Sequence, residues 1–96
     1  MSLLEKVRKN RNEFIVKEAF RIAQRFESHL PAHEAKILSA ASQGLKEVTF
    51  FGKDFENDKY LLLFKNYIEN EGLKYTQTVI QISSGNIIDI TVHLDV

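Results

Sequence analysis

The chain has no cysteine, a single proline, no excess of either charge and no long apolar run. Lack of cysteine excludes disulfides, thiolate nucleophiles and thiolate metal ligands together, and fits a reducing compartment. Thirteen basic and thirteen acidic residues leave a formal net charge of zero. No global field therefore draws the chain to nucleic acid or to an anionic membrane, and only a local patch can do so. Charge enters at Glu5 and Lys6, before any apolar stretch could become a signal segment, and nothing approaches the ~20 apolar residues of a membrane span. A cytoplasmic protein without membrane contact is the expectation. Ninety-six residues suffice for one domain, 1–96, built around one core.

What the chain does carry is a helix exit written twice, Gln43-Gly44-Leu45-Lys46 and Glu71-Gly72-Leu73-Lys74. Each glycine suits the left-handed turn that ends a helix, and the following leucine can fold back as in a Schellman cap. Upstream, Leu4, Val7, Ile15, Ala19, Ile22 and Phe26 follow a helical period, which predicts an amphipathic helix over about residues 3–28. Arg8 to Asn12 contains no apolar residue, so that helix is expected to fray before Asn12. Pro31 predicts a break, with a second, alanine-rich helix from about Pro31 to Gln43. Leu45 to Phe51 reads as a strand, and Asp54 or Asn57 as the cap of a helix with Tyr60, Leu61, Phe64, Tyr67 and Ile68 on its apolar face.

The C-terminal third gives two strand-like runs, Tyr75 to Ile82 and Ile87 to Val96, about the turn residues Ser83-Ser84-Gly85-Asn86. Ile88, Ile90, Val92, Leu94 and Val96 alternate with Asp89, Thr91, His93 and Asp95, so one face is core and the other polar. In the partner run Thr78, Ile80 and Ile82 are assigned inward, and Tyr75, Gln77, Val79 and Gln81 outward. The expected fold is a two-layer α+β domain: N-terminal helices, then β-α-β-β with a three-stranded mixed sheet. Strands one and two are expected to be parallel, joined by a helical crossover, and strand three antiparallel to strand two. So small a sheet cannot cover the N-terminal helix on all sides, and Phe14, Val16, Phe20 and Ala23 are the residues expected in an interface, as in a homodimer.

The candidates for chemistry are few. His93 shares a strand face with Asp89, Thr91 and Asp95, where a carboxylate can orient an imidazole. Residues two apart on a strand are separated by ~7 Å, however, and no nucleophile accompanies them, so a solvated polar face is expected. His29 and His33 have the spacing of a helical metal pair, but Pro31 between them is expected to keep them off one face, and no third ligand follows. No metal, cofactor or catalytic residue is assigned. Arg8, Lys9 and Arg11, with Lys17, Arg21 and Arg25 recurring every four residues, form the patch that could follow a phosphate backbone. Glu5, Glu13, Glu18 and Glu27 are interspersed, which favours a solvated helix face over that patch.

Residues 34–96 resemble small orphan α+β proteins of phages and prophages. The marks are Ala40-Ala41-Ser42-Gln43-Gly44, Val48-Thr49-Phe50, Tyr67-Ile68-Glu69-Asn70-Glu71-Gly72-Leu73 and Ile88-Asp89-Ile90-Thr91-Val92. The resemblance implies a viral or mobile-element accessory protein and carries no catalytic residue across. A well-specified fold without a convergent catalytic set points to a non-enzymatic protein that binds a protein partner. The alternative is nucleic-acid binding by the basic N-terminal helix.

Overall fold

The computed structural model describes residues 2–96. Its longest element is α1 (Leu3–Ser42), forty residues that set the 61 Å dimension of the molecule. After it come β1 (Glu47–Phe50), a 3-10 turn over Gly52–Asp54, α2 (Asp58–Asn70), β2 (Lys74–Ile82) and β3 (Gly85–His93). Helices pack on one face of a three-stranded sheet, giving the α+β class expected from the sequence.

Helix α1 begins at Leu3, where the sequence places its start, with the Ser2 hydroxyl accepting the Glu5 N–H at 3.2 Å and so capping the first turn, and it is helical through Arg8 to Asn12. One expectation about α1 is corrected: it runs unbroken through Pro31, where a second helix was expected to start. Proline cannot donate to the Glu27 carbonyl, a defect of ~3 kcal/mol in an isolated helix. Here buried side chains hold both flanks, Ile22 and Phe26 before the proline, Ile37 and Ala40 after it. Tertiary burial outweighs the local break.

Both helix exits form as the sequence predicts. Gly44 and Gly72 have φ of 75° and 77°. Leu45 N–H donates to Ala40 and Gly44 N–H to Ala41, while Leu73 N–H donates to Ile68 and Gly72 N–H to Glu69, the paired bonds of a Schellman motif. Asn57, one of the two expected caps, starts α2 by accepting the Tyr60 N–H at 3.0 Å.

The sheet is antiparallel throughout, in the order β1-β3-β2, and the mixed sheet with adjacent first and second strands is corrected. β1 and β2 do run in the same direction, but β3 lies between them. The two-residue turn at Ser83-Ser84 ties β3 to β2, and the other edge of β3 takes β1, with Phe50 opposite Ile90 and Val48 opposite Val92. The most buried strand thereby occupies the centre, where both of its edges are paired.

The inner face of β2 is corrected as well. Tyr75, Gln77 and Val79 lie opposite Val92, Ile90 and Ile88, and so share the helix-facing side; Thr76, Thr78, Ile80 and Ile82 face away. Every residue of β2 except Tyr75 is exposed, because α2 reaches only the start of this edge strand, through Glu69 to Tyr75 and Lys65 to Gln77. Ile80 and Ile82 are therefore apolar without being core. The core joins Ile22, Phe26 and Ile37 of α1 to Tyr60, Leu61, Phe64 and Ile68 of α2, over Phe50, Ile90 and Val92 of the sheet.

Asp89 was expected on the solvated face and is instead buried. The 3-10 turn closes over it, and its Oδ1 accepts the Gly52 N–H at 2.7 Å. Gly52 is required for this approach, since a Cβ there would overlap the Ile88 carbonyl and the Ile87 side chain. Replacing Asp89 by Ala leaves that N–H without a partner. Asp89→Ala should lower stability by ~1–3 kcal/mol, read as a lower urea midpoint at unchanged slope; an unchanged midpoint would show that the turn is not held through this bond.

Candidate functional site

Helix α1 divides at Glu18. Every described residue before it, 2–17, is exposed, and the first buried side chain is Ile22. The N-terminal half is thus an arm that leaves the folded body. Its root is fixed by ions: Arg21 pairs with Glu18 and Glu56, each at 2.6 Å, and Arg25 reaches Glu56 at 3.2 Å. The Arg21 guanidinium holds the Glu18 carboxyl below its ordinary range.

Apolar side chains stand on two sides of this arm. Leu3, Val7 and Phe14, spaced by four and seven, form one row; Val16, Phe20 and Ala23, spaced by four and three, form another. Leu3 is 77 % exposed, Phe14 66 %, Val16 68 % and Phe20 64 %. Of the four expected interface residues, the helix brings Val16, Phe20 and Ala23 onto one face and turns Phe14 onto another. Ala23 also lines a groove of about 520 Å³ between α1 and α2, with Phe26, Glu27, Leu30, Tyr67 and Glu71.

The basic residues are likewise split. Arg21 and Arg25 are engaged with carboxylates at the root. Arg8, Lys9, Arg11 and Lys17 lie on the arm, and among the described residues none has a carboxylate within 4.0 Å.

His93 is not joined to Asp89 or Asp95. Its Nε2 lies 2.6 Å from the Thr76 hydroxyl on β2, and its Nδ1 is 3.9 Å from Glu47 on β1. The contacts run across strands, as register dictates, and gather a polar row on the open sheet face. Thr49 and Thr91 form the next row, with hydroxyls 3.0 Å apart.

Sequence reasoning missed the arrangement of His29 and His33. Because α1 continues through Pro31, both rings do share a face, contrary to expectation, and both meet the Tyr60 hydroxyl: His29 Nδ1 at 3.0 Å and His33 Nε2 at 2.7 Å. Their four-residue spacing was the signal, set aside for the proline. Tyr60 is 1 % exposed, and burial pushes its hydroxyl above the usual pKa, so it keeps its one proton. It donates to one imidazole and accepts from the other. Phe26, Phe50 and Phe64 pack edge-on or tilted against the His33 ring. Among the described residues no three His, Asp or Glu side chains gather as metal ligands.

Burial, followed by the neighbouring His29 and Lys36, holds the His33 imidazole below its ordinary pKa of 6.5. The unfolded chain therefore binds a proton that the folded chain resists. Stability from this group is complete above pH 6.5 and is lost as pH falls toward the lower folded value. The urea midpoint should drop from pH 6.5 to pH 5 more steeply for the natural chain than for His33→Gln, and equal slopes would remove His33 as the cause.

No helix among the described residues is long and apolar enough to cross a membrane. No family model matches the chain, and no curated protein or solved structure matches it either.

Proposed function

We propose that this is a non-enzymatic accessory protein, of phage or prophage type and cytoplasmic, that binds another protein through the arm of α1. The observation that carries this reading is the row Leu3, Val7 and Phe14, exposed on a helix with no intrachain support. An isolated helix of this length is marginal in water, and apolar residues repeating on one face are the usual anchors of a helix that docks on a partner. The polar row at His93 offers a weaker surface of the same kind. Thr76, whose hydroxyl meets His93 Nε2 at 2.6 Å, is exposed on the open face of the sheet rather than set in a cleft, which supports binding over turnover.

Burying Val7 and Phe14 against a partner is worth ~1.5–3 kcal/mol each, so either Val7→Asp or Phe14→Asp should cut affinity at least tenfold. With the natural chain immobilised and nuclease-treated lysate of the source organism passed over it, one protein should be retained stoichiometrically, and lost from both variants. Retention indifferent to both substitutions would reject the arm as the binding element.

A second reading has its own observation: Arg8, Lys9, Arg11 and Lys17 lie on the same arm without a carboxylate within 4.0 Å. If they contact four phosphates of a duplex, log affinity should fall with log salt at a slope of about −3 to −4. Binding that ignores salt, or no binding at 50 mM salt, rejects nucleic acid as the ligand.

A further inference from the structure

We infer that the partner of the second apolar face of the arm is a second copy of this chain, paired antiparallel along α1. The inference shares with the proposed function the premise that the arm is an interaction element, but it uses the face that Leu3, Val7 and Phe14 leave free.

The argument begins with symmetry in the spacing. Lys9, Val16, Phe20 and Glu27 are separated by seven, four and seven residues, all near multiples of the helical turn, so they lie along one face. Read backwards the spacing is the same. Two such helices related by a two-fold axis between Val16 and Phe20 place Val16 of one beside Phe20 of the other, twice. The same axis sets Lys9 of each chain opposite Glu27 of its partner. All four residues are exposed in the single chain. A parallel pair in register would instead oppose Lys9 to Lys9 and Glu27 to Glu27, so charge selects the antiparallel arrangement.

The landing surface fits this arrangement. In the same register residues 3–17 of one arm run beside residues 19–33 of the partner, the half of α1 that is anchored on α2. Each arm gains support from the other chain's folded body. The groove beside that stretch is lined by the small Ala23, which permits close approach of a helix, and is rimmed by Glu27 and Glu71. The arm segment arriving there carries Lys6, Arg8, Lys9 and Arg11 against Glu5 and Glu13, and Lys9 lies on the face that meets Glu27. A basic segment thus meets an acidic rim, and the contact is isologous and closed, so it stops at two copies.

The test is the mass of the full chain in solution. Sedimentation equilibrium of the natural protein at about 100 µM should give twice 11.1 kDa. Phe20→Asp should give the monomer mass. Lys9→Glu and Glu27→Lys should each weaken self-association on the order of tenfold, and the double exchange Lys9→Glu with Glu27→Lys should restore it. Rescue by the double exchange is the decisive result, because neither a folding defect nor a change in net charge produces it. A monomeric natural protein overturns the inference, and so does a dimer indifferent to Phe20→Asp and to the exchange. Phe14→Asp separates the two readings: it should abolish partner capture while leaving the mass of the dimer unchanged.

Discussion

The controlling constraint is a mismatch of length. The folded body does not cover a helix that makes the molecule 61 Å long, and residues 2–17 are all exposed. The single core is committed to the C-terminal half of α1, where Ile22, Phe26 and Ile37 meet α2 and the sheet. What remains is a stretch of helix whose side chains, from Leu3 to Lys17, are all exposed. The ion cluster of Arg21 and Arg25 with Glu56 marks the boundary, fixing where the arm leaves the body. The arrangement of the apolar rows and the cations on the arm follows from that boundary together with the helical period.

Local signals in the sequence were dependable and long-range ones were not. Gly44, Gly72 and Asn57 act within one helical turn, and all three behave as their residue types dictate. Pro31 is local too, yet its effect is set by Phe26 and Ile37 packing on either side, which no window of sequence displays. Strand order depends on which edge of β3 is left after the hairpin forms. The expectation of adjacent sequential strands could not see that β1 would take that edge. The β2 assignment failed because Ile80 and Ile82 look like core residues, while the half of the strand they occupy is exposed on both faces.

The candidate site was legible in the same measure. Exposure of Phe14, Val16 and Phe20 followed from counting how much surface a small sheet can cover. Which of them act together required a continuous helix, which puts Phe14 on a separate face. The six cations looked equivalent in sequence, but Glu56, distant in the chain, neutralises two of them. The Tyr60 hydroxyl between His29 and His33 was hidden by the proline between the histidines. It explains two ring nitrogens in a largely aromatic setting as a satisfied hydrogen-bond relay.

The uncovered edge of β2 has a consequence for assembly at high concentration. Its nine residues carry one charge, Lys74, and no proline or glycine. Natural sheets usually guard such an edge with charge, bulges or a covering loop. In the antiparallel pair proposed above, each molecule would keep this bare edge. Edge-to-edge contact between pairs would not close on itself, and would join finite units into an open ribbon of sheets.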